Sequence, residues 1–431
     1  MKLNIPYTRR NFFLEIPDEN LLCVAEPNDA ESAGDEEAVL SRALDAPLAG
    51  VSGGGTALKQ FLEGGQNILV VINDATRPTP TAAMLKALWP HFKSAGLEPR
   101  NLMLLVATGA HRAPTGEEYR RILGDSCRRF RSCCVAHDSK KAGEMVPLGL
   151  TRSGTPVILN RRILDADRIV VTGSVEPHYF AGFTGGPKAF LPGLAAHESI
   201  KANHERALSP GARALALEGN PVHEDMDDAA GLIRTPIFSL MTVLDKRQKT
   251  AAAFSGDLMT SFREAVKLSK KIFCVSVPEK ADIVVSVAKR PMDIDLYQSQ
   301  KAIDNGALAL KNGGTLILAA SCRDGLGDKT YAGLLASASS PADALERIRR
   351  EYRLGYHKAA KMAMVSGRAR ITAVTELPPE ELKKLFIGSA PSPQAALDEA
   401  LKEAKDRGVL KAKVLVLPDG CVTVPLADCD S

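Results

Sequence analysis

Residues 173–204 read GSVEPHYFAGFTGGPKAFLPGLAAHESIKANH. An apolar β-branched run at 169–171 leads into this stretch and has the character of a buried strand, while 194–208 returns as a helical pattern. Between them Gly182, Gly185, Gly186 and Gly193 loosen the backbone, and Pro187 and Pro192 stiffen it. Such a strand-to-helix turn can bring main-chain N–H groups against a ligand. It is not a Walker loop, because Pro187 separates Gly186 from Lys188 and Ala189 follows where Ser or Thr is required. Nor does it contain GxGxxG. What singles it out from an incidental glycine turn is the company of His178, Lys188 and His204.

Moving outward, strand-like runs at 67–72, 101–106 and 168–172 alternate with helical patterns at 80–94 and 115–123. This alternation predicts an α/β fold with a largely parallel sheet and sites at the carboxyl ends of the strands. NDATRPTP (73–80) follows the first strand, ATGAHRAPT (107–115) the second, and the quoted stretch the third. The three polar turns converge if those strands are neighbours.

A composition shift near Lys270 opens a second α/β unit: IVVSVA (283–288) as strand, KRPMDIDLYQSQK (289–301) as a polar crossing, 301–311 as helix and GGTLILAA (313–320) as strand. The last segment, KVLVLPDGCVTVPL (413–426), reads as a hairpin about Asp419-Gly420. The expected organisation is therefore two domains, 1–270 and 271–410, each with a largely parallel sheet flanked by helices. Residues 411–431 are expected to rejoin the first, and the active site to lie in the interdomain cleft.

Length supports that division, since 431 residues exceed one typical core. A hydrophobic content of 45% and a charged content of 25% are those of a globular protein. The net charge of +4 and the 5% aromatic content argue against nucleic-acid binding. No apolar run is long enough to span a bilayer and the N-terminus has no signal-peptide core, so a cytoplasmic protein is expected. Eight cysteines, at 23, 127, 133, 134, 274, 322, 421 and 429, include no CxxC pair, and neither a zinc knuckle nor a disulfide framework fits. Adjacent Cys133 and Cys134 are expected to be small buried or half-buried residues.

Several groups have two readings. Asp74 and Arg77 form either an anion clamp or a helix N-cap with its neighbour. His111, in a turn with Thr108 and Arg112, is either a proton shuttle or a hydrogen-bonded turn residue. His197 and His204 lie seven apart on one helix, roughly 10 Å at ~1.5 Å rise per residue, so at most one of them ligates a given metal ion. His137, His223 and His357 have no constellation around them and read as structural. Tyr297, Gln298 and Lys301 form either a capping surface or a pocket wall.

Taken together, DATRPTP, TGAHR, EPHYFAGFTGGPK with NH sixteen residues past the lysine, and DIDLYQSQK resemble the lactate racemase (LarA) family of nickel-pincer nucleotide enzymes. Four motifs in order span the chain from about Asp74 to Lys301. The resemblance implies a Ni(II) pyridinium-3,5-bisthiocarboxylic acid mononucleotide tethered covalently to Lys188, with His204 as the nickel ligand. It implies His111 and His178 as the acid/base pair, and Asp74, Thr76, Gly185 and Gly186 as cofactor-binding residues. Arg77, Gln298 and Lys301 would hold the substrate carboxylate, with Tyr297 as pocket wall. The implied partners are a small 2-hydroxy acid and the proteins that make and supply the nickel nucleotide.

The residues suit that chemistry. Removing a Cα proton beside a carboxylate builds charge where none is welcome, whereas hydride removal gives a planar 2-oxo acid that can be reduced on either face. Two histidines then serve, one per face. Soft sulfur donors and one imidazole suit square-planar Ni(II).

The chain departs from the family pattern at Ala288-Lys289-Arg290-Pro291, where the family often has GG-aromatic-P, and at Ala181, where the lactate enzyme aligns a serine; its only tryptophan is Trp89. These departures point away from lactate itself. Lys289 or Arg290 is expected to meet a second anionic or polyhydroxylated end, as in malate, 2-hydroxyglutarate or an aldonic acid. Two alternatives are a nickel-nucleotide carrier without turnover and a nicotinamide-dependent 2-hydroxy acid dehydrogenase. The first would not need both His111 and His178, and the second would need a dinucleotide fingerprint that is absent. For the covalent mount to hold, Lys188 and His204 have to point to one place.

Overall fold

The computed structural model describes residues 1–7, 10–30, 34–50 and 55–427. Cys429 lies outside the described residues. The chain divides into two compact units, residues 29–272 and residues 1–28 with 273–431.

In the unit of residues 29–272 the sheet strands are β1 (Ile68–Asn73), β2 (Leu102–Ala107), β3 (Cys134–Ala136), β4 (Arg168–Ser174), β5 (Ile237–Leu244) and β6 (Thr250–Gly256). They lie in the order β3-β2-β1-β4-β5-β6, all parallel except the β5–β6 pair. Leu69, Val70, Val71 and Ile72 are buried, as expected of a central strand covered by helices on both faces. One core layer joins Ile68, Val70 and Ile72 to Met84, Leu85, Leu88 and Phe92 of helix α1 (Thr81–Ser94). The helix α2 (Gly116–Leu123) starts on a capping box between Thr115 and Glu118. Strand order reverses direction between β1 and β4, so the loops after these two strands diverge and leave a crevice at their carboxyl ends. That crevice receives the motifs after β1 and β4, with the β2 turn beside it.

The other unit holds a second six-stranded parallel sheet, in the order Gly388–Ser389, Arg370–Val374, Leu310–Ala319, Ala281–Val287, Val414–Leu417, Leu21–Val24. The α/β class with two sheets flanked by helices is thus as the alternation implied.

Four boundaries differ from expectation. Residues 1–28 and the C-terminal segment both belong with 273–431 rather than with the first domain, because Leu21–Val24 pairs with Val414–Leu417, and Ile5, Leu14 and Ile16 share a core with Ile283 and Val285. The 413–426 segment is not a hairpin: Val424–Ala427 pairs in parallel with Cys274–Val277. Gly420 instead serves close approach, since a Cβ there would stand 1.9 Å from Ser286 Oγ.

The helix expected at 301–311 is Leu296–Gly306, called α5 below, because Asp295 caps it by accepting from Gln298 N at 2.7 Å. The helix expected from 194 begins at His197, since the backbone at 194–196 is taken by a neighbouring strand: Asn160 N donates to Leu194 O and Ala196 N to Ile158 O. Among the described residues no helix is long and apolar enough to cross a membrane.

Candidate active site

The 173–204 stretch is packed as interior. Phe180, Phe183, Phe190, Leu191 and Leu194 are at most 2% exposed. Its backbone closes on itself through Thr184 N to Glu176 O, Lys188 N to Gly185 O and Gly193 N to Lys188 O, and Gly109 N of the β2 turn donates to Gly193 O. Gly186 has φ +55°, and a Cβ there would lie 2.6 Å from the Phe262 ring. Both facts require glycine, and both concern packing. The observed contacts of Gly185 and Gly186 are therefore with the loop's own support.

Phe180 gathers the reactive groups. The Lys188 Nζ lies 5.4 Å from its ring centroid, the His204 ring 5.2 Å and the His178 ring 4.6 Å. Lys188 and His204, sixteen residues apart, thus flank one side chain rather than pointing to opposite faces of the sheet. Phe180 is itself fastened by Asn220 Nδ2, which donates to its carbonyl at 2.9 Å.

Lys188 is 9% exposed. Burial, and then the Arg77 guanidinium, push its amine down to about 7, so a large fraction is neutral and nucleophilic near neutral pH. Among the described residues its amine has no carboxylate partner.

The two remaining histidines sit in opposite tautomers. His111 Nδ1 meets Asp74 Oδ2 at 2.7 Å. Burial alone would raise the Asp74 carboxyl, but the hydrogen bonds from His111 and Thr76 and the Arg77 charge hold it below its ordinary value. With Asp74 ionised, Nδ1 carries the proton and Nε2 of His111 is an acceptor. Thr76 donates from both N (3.1 Å) and Oγ1 (2.6 Å) to Asp74 Oδ1, which locks the carboxylate. In His178, by contrast, Nδ1 accepts from Ala181 N at 3.3 Å, so the neutral ring carries its proton on Nε2. The ring is held by stacking on Tyr179 at 4.9 Å. Asp74 is thus not a helix cap, since α1 begins seven residues later; its carbonyl accepts from Arg77 N at 3.2 Å and its carboxylate orients His111.

Sequence reasoning passed over the supports. Thr79 Oγ1 bonds both Asn73 Oδ1 and Ser174 Oγ at 2.8 Å, stitching the ends of β1 and β4 together. Asp225 is fully buried and accepts from Thr151 Oγ1 (2.6 Å), Thr155 Oγ1 (2.8 Å) and Asn203 Nδ2 (2.9 Å), with Arg206 Nε at 3.5 Å. It thereby anchors the helix α3 (His197–Glu205) at the residue next to His204. Nothing in the acidic run EDMDD marks one of its members as interior. Asp225→Ala is expected to cost roughly 3–5 kcal/mol, because a half-buried cation and three donors lose their acceptor; a urea titration of the two proteins measures it.

Among the structural histidines, His137 bonds Ala195 O (2.9 Å) and Asn160 Nδ2 (3.1 Å). His223 stacks on Phe262 at 5.6 Å with Asp227 3.4 Å from Nε2, and burial pushes it down to about 4, so it is neutral. Cys134 is buried and Cys133 half-buried, with both thiols raised by burial. A cavity of about 400 Å³ lined by Val39, Arg42, Leu48 and residues 251–255 offers one cation and no titrating cluster.

In the other unit, Tyr297, Gln298 and Lys301 lie in the first turns of α5. Tyr297 is clamped: Lys358 Nζ stands 4.0 Å over its ring and donates to its carbonyl, and the Tyr331 ring meets it edge-on at 5.5 Å. Burial and Lys301 push the Lys358 amine down. Lys301 Nζ lies 3.2 Å from Met292 Sδ. Lys289 is 3.9 Å from Asp419, whereas Arg290 is exposed. Lys358 was legible only as a cation on the buried face of helix Tyr356–Ser366.

Comparison with known proteins is consistent across the chain. Residues 7–214 match the lactate racemase N-terminal domain and residues 277–424 the lactate racemase C-terminal domain. The lactate racemase of Thermoanaerobacterium thermosaccharolyticum is 31% identical over 427 residues, 97% of each chain, and that of Lactiplantibacillus plantarum is 31% identical over 428 residues, 97% of this chain and 98% of that one. The structure of the T. thermosaccharolyticum lactate racemase apoprotein superposes with a TM-score of 0.89 over 99% of this chain and 100% of that one. A Thermotoga maritima protein, 18% identical with a TM-score of 0.70 over 92% of this chain and 99% of its own, shares the fold. With both domain models in order and near-complete coverage on either side, the chain belongs to the lactate racemase family.

Proposed function

We propose that this protein is a racemase or epimerase of 2-hydroxy acids that works through reversible oxidation to the 2-oxo acid. The observation that carries the reading is the complementary pair of histidines, one presenting Nε2 as acceptor and the other Nε2–H as donor. The residues around Phe180 fit the nickel-pincer nucleotide of the family. Lys188 is a buried amine, a large fraction of it neutral near neutral pH and suited to covalent attachment, and His204 supplies one imidazole. Among the described residues no group of three or more His, Cys, Asp or Glu is placed to hold a bare metal, so a nickel ion bound through His204 would take its other donors from the nucleotide. When bound, that group would supply the hydride acceptor and donor.

The chain's own residues do the rest. Arg77 holds the carboxylate so that the oxygen at C2 can swing while the rest of the molecule stays put. His111 Nε2 takes the hydroxyl proton of one enantiomer, Asp74 stabilising the imidazolium that forms. When protonated, His178 returns a proton from Nε2 to the 2-oxo oxygen in its other orientation and is left neutral. His111, with 55% of its side chain exposed, then exchanges its proton with water. The substrate carries a second anionic or polyhydroxylated end, as in malate, 2-hydroxyglutarate or an aldonic acid, and Arg290 meets it; Lys289 already faces Asp419.

Asp74→Asn places an N–H against His111 Nδ1 and so moves the ring proton to Nε2. It is expected to lower kcat about a thousandfold or more with little change in Tm, as inverting a catalytic histidine tautomer does; steady-state racemisation and a thermal melt separate the two effects. The function itself is tested on protein produced together with the cofactor-synthesis proteins. Intact mass should show an adduct, and a panel of 2-hydroxy acids should show inversion favouring dianionic or polyhydroxylated members, a preference that Arg290→Ala weakens. An adduct without turnover returns the carrier reading, and NAD-dependent reduction without an adduct returns the dehydrogenase.

A further inference from the structure

Lys188 has a reactivity that needs no metal. Its amine is buried in an aromatic and aliphatic setting, 5.4 Å from the Phe180 centroid, at the end of a loop whose backbone is pinned on both sides. Carboxylates near a buried lysine would hold it as ammonium, and among the described residues none partners it. The charge that does act on it, Arg77, is of its own sign and comes from the turn after β1, the strand hydrogen-bonded to β4. Desolvation plus a neighbouring cation is the setting that turns a lysine into a carbonyl nucleophile, and the neighbouring cation here is one that pairs with carboxylates.

We propose that in the chain without an attached nucleotide Lys188 forms a reversible imine with small 2-oxo acids, their carboxylate held by Arg77. The Nζ lone pair attacks the ketone carbon. The C–O bond of the resulting carbinolamine breaks, and the carbonyl oxygen leaves as water with both amine hydrogens, so C=N replaces C=O with no net oxidation. The 2-oxo acid is then a competitor of whatever else reacts at Lys188. The inference stands on Lys188 and Arg77 alone and is independent of the nickel reading.

The test uses the full-length chain produced without cofactor-synthesis proteins, incubated with pyruvate or glyoxylate and sodium cyanoborohydride at neutral pH, followed by intact mass and peptide mapping. One adduct is expected on Lys188, its mass gain equal to that of the acid less one oxygen. Its yield should exceed that on any exposed lysine by at least about tenfold, because an ordinary lysine is almost wholly protonated there. Mapping is done on the unsubstituted chain, so the result does not depend on a variant folding. Arg77→Gln is expected to lower the 2-oxo acid adduct several-fold more than the acetaldehyde adduct, which senses Arg77 only through the basicity of Lys188. Labelling spread evenly over exposed lysines, labelling at Lys358 in place of Lys188, or equal loss of both labels in Arg77→Gln overturns the proposal.

Discussion

Lys188→Met is expected to abolish covalent loading, to lower racemisation by at least about a thousandfold, and at the same time to make the protein more stable. The first effect follows because Lys188 is the buried amine that stands 5.4 Å from the Phe180 centroid, with His204 on the same ring. The second follows from burial. An amine that titrates near 7 in the folded chain and at 10.5 when solvated costs the folded state free energy wherever the unfolded chain holds the proton more tightly. Since the folded value lies below the unfolded one, this cost is largest and constant below pH 7. It shrinks by about 1.4 kcal/mol per pH unit from 7 upward and is gone near 10.5. Methionine fills a similar volume with no charge to desolvate. The gain in stability of Lys188→Met is thus expected to reach several kcal/mol at pH 6 and to fade toward pH 10, as chemical denaturation across that range would show. A gain that does not vary with pH would mean that the amine is solvated.

The two histidines carry the second large effect. His111→Asn and His178→Asn are each expected to reduce racemisation by at least about a thousandfold, because either substitution leaves one orientation of the C2 oxygen without the histidine that carries its proton. The half-reactions should survive selectively. In single turnovers trapped with a carbonyl reagent, one variant should yield 2-oxo acid from only one enantiomer and the other variant from only the opposite one. Loss of both half-reactions in either variant would assign that histidine to binding instead of to one face.

A trade between stability and function runs through the site. Lys188 is buried without a counter-ion among the described residues, whereas Asp225, fully buried, has a partner for every lone pair the network needs. Both are charged residues inside the same unit. The difference is that Asp225 holds α3 in place, while Lys188 is kept reactive by the absence of a partner.

Much of this was legible in the chain before folding. The β-branched runs before NDATRPTP, ATGAHRAPT and residues 173–204 announced three buried strands, and polar turns after buried strands announced sites at their carboxyl ends. That Lys188 and His204 flank one place was also readable, through the sixteen-residue spacing. Three things were not. Asp295 capping α5 was hidden in a polar run, because a cap is a property of backbone direction and not of composition. The Asp419-Gly420 pair resembled a hairpin turn, but Gly420 is there because Ser286 leaves no room for a Cβ. The partner of the N-terminal 28 residues lies more than 380 residues away, at Val414–Leu417, and a strand carries no label naming a neighbour so remote.

The sequence by itself determined the alternation of strands and helices, the family, and the identities of the reactive side chains, because these rest on local propensity and on residue types at close spacing. Only the tertiary structure decided their chemical states. That Asp74 sets the tautomer of His111 and that Lys188 lies buried beside Arg77 are consequences of β1, β2 and β4 lying side by side, while the fold of the loop itself brings Ala181 N onto His178. Tautomer and protonation respond to dielectric and to neighbours a few ångströms away, and strand order, not sequence distance, brings those neighbours in.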